Sequence, residues 1–122
     1  MTTSYKFIRT IFGTTAFAVI KLSSTPALQS RIIWPDSLQK IRQNYGTAIE
    51  CGIHLALSAH DKAGGKPQEV LIRDVVTTTA DTKPDAVKCA AALGLWKELG
   101  HTEDEVVVSY SFGLWEIKWL VT

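Results

Sequence analysis

Asp and Glu are absent from the first 35 residues, which carry Lys6, Arg9, Lys21 and Arg31 together with ten Ser or Thr. A stretch so biased has three physical readings: a targeting segment, strands facing a polyanion, or an edge kept soluble by basic side chains. Cysteine is scarce as well. Cys51 and Cys89 are too few for a disulfide framework, and both fall in apolar helical patterns where a free thiol behaves as a small hydrophobe, as expected in a reducing compartment. No run approaches the ~18 apolar residues that a membrane span requires. A second CxxC or HxxxH-type pair is missing too, so no four-ligand zinc site can be composed, and no cofactor motif appears.

What remains is the composition of a folding domain. At 122 residues, 46% hydrophobic and 20% charged, the chain is expected to form a single domain over residues 1–122 with one core and no staples. The net charge of +1 hides an asymmetry: residues 1–61 carry six Lys or Arg against three acids, and residues 62–122 carry seven against nine. That polarity is too mild for a dedicated nucleic-acid binder, which would carry a denser basic face.

Residues 1–27 match a targeting segment only loosely. The apolar run Ile11 to Ile20 is broken by Gly13, Thr14 and Thr15 and is followed at once by Lys21. Tyr5, Phe7, Arg9 and Ile11 alternate with Lys6, Ile8, Thr10 and Phe12, and Ala16 to Leu22 is again strand-like, so a structural β-hairpin is the better reading. Arg31 to Trp34 forms a short extended piece before Pro35. A helix then starts at Asp36 as cap, with Gln39 completing a capping box, and runs to about His60; its apolar face widens over Ile49, Ile53 and Leu57. Glu69 to Thr77 reads as a strand with Val70, Ile72 and Val76 on one face, interrupted by Asp74. Thr82 caps a second helix, with Val87, Ala91, Leu95 and Leu99 as its buried stripe and Gly100 closing it. Val106, Val108, Tyr110 and Phe112 share a strand face, Gly113 is a hairpin turn, and Trp115, Ile117 and Trp119 continue the alternation. The expected fold class is α+β in the order β-β-α-β-α-β-β, with an antiparallel or mixed sheet and two helices packed on one face.

Few residues carry the look of chemistry. Cys51 and His54 share a face of the first helix and could pair as thiolate and imidazole, but the apolar surroundings favour packing for the thiols. His60 with Asp61 ends that helix and His101 follows the second; if the fold joined them, a general base oriented by a carboxylate would result. Lys62 to Lys66, with Gly64 and Gly65, has the composition of a phosphate loop in reversed order, closing a helix rather than opening one, and reads as a helix cap. Glu103, Asp104 and Glu105 read as a solvated loop, and no metal is expected.

The leading expectation is a non-catalytic binding or assembly module, soluble and cytoplasmic or in an organelle matrix. It would self-associate as a homo-oligomer or dock on a protein partner through its terminal β-hairpins, with Trp115, Ile117, Trp119 and Leu120 as the interface. One alternative is a small enzyme or small-ligand-binding protein whose helix/sheet pocket uses His54 or the His60, Asp61 and His101 group. The other is an organellar or nucleoprotein subunit that sets Lys6, Arg9, Lys21 and Arg31 against a polyanion.

Overall fold

A computed structural model of the chain describes residues 2–120. Its strands are β1 (Thr3–Ile11), β2 (Thr14–Pro26), β3 (Arg31–Ile33), β4 (Gln68–Val76), β5 (Val106–Ser111) and β6 (Leu114–Trp119); its helices are α1 (Gln39–Lys62) and α2 (Pro84–Glu98). Short 3-10 turns lie at Asp36–Leu38 and Glu103–Glu105. The fold is the α+β class anticipated, with the extended piece before Pro35 added as a strand, so the order is β-β-β-α-β-α-β-β.

Four strands form a mixed sheet in the order β1-β2-β4-β3, antiparallel except for the β3–β4 pair. Alternation along β1 and β2 sends Tyr5, Phe7, Ala18, Ile20 and Leu22 into the core and leaves Lys6, Ile8 and Lys21 on the open face. In β4 the alternation is broken once. Lys21 pairs with Asp74 while Leu22 pairs with Ile72, so Arg73 is an extra residue, and the bulge turns Val75 inward in place of Asp74. Val76, expected on the buried face, is therefore 45% exposed, and the Asp74 carboxylate instead accepts a hydrogen bond from the Val75 amide at 2.9 Å.

The second helix departs from a single buried stripe. Every residue from Cys89 to Trp96 is buried, so α2 is enclosed on all sides over two turns. The Ala-rich segment lets three neighbours close in. On the sheet side, a Cβ at Gly94 would stand 3.1 Å from the Tyr5 Cβ and 3.0 Å from Ile20. On the α1 side, a Cβ at Gly52 would come within 2.2 Å of the Lys88 carbonyl oxygen, so only glycine permits this approach. The third side is covered by β6, whose Trp119 packs edge-on against Trp96. This explains why β5 and β6 form a separate two-stranded sheet rather than extending the first: a helix apolar all round needs a third cover.

Neither expected N-terminal helix cap forms. α1 begins beyond the 3-10 turn with no side-chain cap, and α2 is preceded by Lys83 with Pro84 at its start. Thr82 is used otherwise: its buried hydroxyl donates to the Phe17 carbonyl at 2.6 Å and accepts from the Thr78 amide at 2.8 Å. It thus ties the approach to α2 onto the β1–β2 hairpin.

Candidate functional site

Both hairpins run alongside α2, so the molecule has two distinct ends. At the C-terminal end of α2, side chains from four segments meet. The Thr3 hydroxyl donates to Glu98 at 2.5 Å, and the Ser24 amide donates to the other oxygen of the same carboxylate at 3.0 Å. The Tyr5 hydroxyl donates to Glu103, and burial, followed by that carboxylate, pushes the phenol up to about 12. Tyr5 is therefore a proton holder, not a nucleophile, near neutral pH.

Beside it, His60 from the end of α1 and His101 from the loop after α2 meet, Nδ1 to Nε2, at 2.8 Å. One ring must donate and the other accept, so the pair cannot hold a proton on both facing nitrogens. His101 stacks on the Trp96 indole with ring centres 3.7 Å apart, and the indole N–H donates to the Thr102 carbonyl at 3.0 Å. His60 is seated on Gly65, where a Cβ would fall 2.2 Å from its Nε2. The Lys62 to Lys66 loop is the expected helix cap: Gly64 sits at φ +88°, and the amides of residues 63 to 65 return to α1 carbonyls. Burial and the neighbouring His101 lower the His60 pKa against a smaller opposing pull from Asp61. Tyr5, Trp96, Lys97, His101, Thr102 and Glu103 line an open cleft of about 380 Å³ at this end.

The fold thus joins His60 to His101, and Asp61 is near but makes no hydrogen bond to either ring among the described residues. His54 stands apart, exposed on α1. Cys51 is exposed rather than packed, and no hydrogen bond joins it to His54 among the described residues; Cys89 is buried, and burial pushes its thiol up to about 12. Among the described residues no group of three or more His, Cys, Asp or Glu could hold a metal. Glu103 to Glu105 are more than a solvated run: Glu103 holds Tyr5, and Glu105 forms a capping box with Thr102. The Tyr5–Glu103 pair spans 98 positions and left no mark in the sequence.

The four basic residues of the N-terminal region do not converge. Lys6 and Lys21 lie on the open face of the sheet, Arg31 is paired with Glu69 at 2.5 Å, and Arg9 is on the opposite face, 4.8 Å over the Phe7 ring. Of the expected interface, Trp115, Ile117 and Trp119 pack half-buried against the core, because α2 needs them there; Leu120 is 60% exposed. No helix among the described residues is long and apolar enough to cross a membrane.

The opposite end carries two tips. β1 and β2 are joined by Phe12-Gly13, and β5 and β6 by Phe112-Gly113. Phe12 at φ 50° and Gly13 at 77°, and Phe112 at 54° and Gly113 at 79°, have the paired positive φ of type I′ hairpin turns. Both phenylalanines, expected in the strands, are at the first central turn position, where the side chain points to solvent: Phe12 is 92% exposed and Phe112 wholly so. The tips stand close together at the start of α2. Thr14, Asp81, Asp85 and Gly113 line one small cleft between them, the Phe17 amide donates to the Asp81 carbonyl at 3.0 Å, and the Trp115 amide donates to the Asp85 carboxylate at 2.7 Å.

No protein-family model and no curated protein matches the chain. Among solved structures it is similar to ttk003000868 from Thermus thermophilus, at 22% identity and a TM-score of 0.67, over 79% of this chain. That match spans only 15% of the Thermus protein. At such identity the likeness shows the fold alone, a small α+β domain built as this one is.

Proposed function

We propose that this chain is a non-catalytic docking module that engages a macromolecular partner with the tips of its two hairpins. One observation carries the reading: Phe12 and Phe112, both bulky, both in a left-handed backbone conformation and both bare to solvent, cap two hairpins whose neighbouring residues Thr14 and Gly113 line one small cleft near the start of α2. Left-handed backbone costs a side-chain-bearing residue roughly 1–2 kcal/mol, and Asn or Gly would suit the position better. A costly residue whose ring stands clear of its own fold is accounted for by contact outside it, and aromatic anchors dominate such contacts.

Photo-crosslinking tests this directly. With p-benzoylphenylalanine at position 12 or 112, irradiation of cells making the protein is expected to give discrete macromolecular adducts. Position 28 is the control, since Leu28 is equally exposed but lies in the connection after β2, away from the tips. Adducts at position 28 as abundant as those at the tips would remove the reading.

A second reading is favoured by the imidazole pair: a small-ligand site in the cleft lined by Tyr5, Lys97 and His101. It requires that His101→Ala abolish binding of a small molecule retained by the native protein while the tip variants leave it intact.

A further inference from the structure

Resting on the docking reading above, we infer that the occupant of the tip end is a second copy of this chain, related by a two-fold axis. Next to each exposed Phe112 the molecule has a receptor for it. A cleft of about 450 Å³ opens between the first half of α1 and the start of α2, with Ala48, Cys51, Pro84 and Lys88 among its walls and Leu114 at its lip. A closed cavity of ~150 Å³ already accommodates a benzene ring, so an open one this size admits a phenyl group. Leu114 is two residues from Phe112 and is itself 52% exposed. Knob and socket therefore lie side by side on one surface, the arrangement that becomes self-complementary under two-fold rotation: each copy's Phe112 enters the other's cleft.

Charge selects a second copy over other occupants. Lys83 and Lys88 around the tips are matched by Asp81 and Asp85, so this end does not repel its own image. The open face of the sheet, with Lys6, Lys21 and Arg73 against Asp74, would repel its own. A polyanion or an anionic bilayer is poorly served by tips that carry Asp81 and Asp85 between them. The area suffices as well: at ~150–250 Å² per phenylalanine, four phenyl groups and two leucines remove on the order of 1,000 Å² from water, near the lower bound for a specific dimer.

Cys51 supplies a built-in probe, because it lines the socket and is exposed while Cys89 is buried. Native mass spectrometry of the full chain, from low micromolar to submillimolar concentration, is expected to show a monomer–dimer equilibrium. Alkylation of Cys51 should slow as the dimer fills. Phe112→Asn, at an exposed turn position that Asn favours, keeps the fold; it removes both symmetry-related anchors, at about 30-fold each, and is expected to weaken the dimer by roughly 1,000-fold and to restore fast alkylation. A dimer unchanged in Phe112→Asn, or one that leaves Cys51 fully reactive, overturns the two-fold contact. A monomer at every concentration overturns the second copy as occupant; if the adducts at positions 12 and 112 then have the mass of another macromolecule, the docking reading stands without it. Absence of both dimer and adducts removes the two together.

Discussion

The two ends of α2 solve opposite problems. At its C-terminal end, most polar groups that burial brings in are met: Tyr5 by Glu103, Glu98 by Thr3 and Ser24, His60 by His101, the Trp96 indole by Thr102; the buried Trp119 indole N–H is the exception among the described residues. At its N-terminal end, hydrogen bonds to Asp81 and Asp85 anchor the hairpins, but the rings those hairpins carry outward face solvent. The difference teaches where to look for function in a small domain. A satisfied network explains itself through stability, whereas exposed aromatics in an unfavourable backbone conformation do not.

Substitutions can break this contrast. The largest effect is expected for Trp96→Ala, which removes the ring that carries His101 and abuts Trp119: a loss of about 3–5 kcal/mol in urea unfolding, with the tips still exposed in whatever fraction stays folded. Asp85→Ala acts on the other end. Losing a charge-assisted bond to the Trp115 amide should cost about 1.5–3 kcal/mol and speed hydrogen exchange at that amide, while the His60–His101 pair is left as it was.

Acid sharpens the contrast further, since only the C-terminal end holds the coupled imidazoles. The folded state favours neutral His60, so the unfolded chain takes up a proton first as pH falls below the ordinary value of 6.5. Stability from this group is complete above that value and is lost as pH drops toward the lower folded pKa; a melting-temperature profile from about pH 8 to about pH 5 should show the decline, and His60→Gln should flatten it. Smallest of all is a gain. Phe12→Asn and Phe112→Asn should each raise stability by about 0.5–1 kcal/mol in the same unfolding assay, because Asn tolerates the turn conformation better. A loss instead would mean the rings serve the fold.

Much of the fold was legible in the sequence because its signals were local. Alternation from Tyr5 to Ile11 and from Trp115 to Trp119 marked strands, and the apolar spacing of α1 marked a helix. What escaped was non-local or depended on a single residue. Alternation continues through Phe12 and Phe112, so both read as strand positions, although each precedes a glycine; the aromatic-glycine pair was the signal that could have placed them in turns. The bulge at Arg73 moved Val75 inward and Val76 outward, which no periodicity anticipates. His60 and His101 were candidates for proximity, but only the packing of α1 on α2 brings them together. The tryptophans of β6 read as an interface because a strand cannot announce where its aromatic face will pack, Trp115 on Phe7 of β1 and Trp119 on Trp96 of α2.

The all-round burial of α2 has a consequence for synthesis. During translation the four-stranded sheet and α1 are made ahead of this helix, but β6 follows it. A nascent chain paused short of Leu114 would hold Trp96 and its alanine-rich flank with one side bare, an adhesive surface on an otherwise formed domain. Release from the ribosome before β6 appears would leave a client for a chaperone, and the final hairpin would act as the lock that ends that dependence.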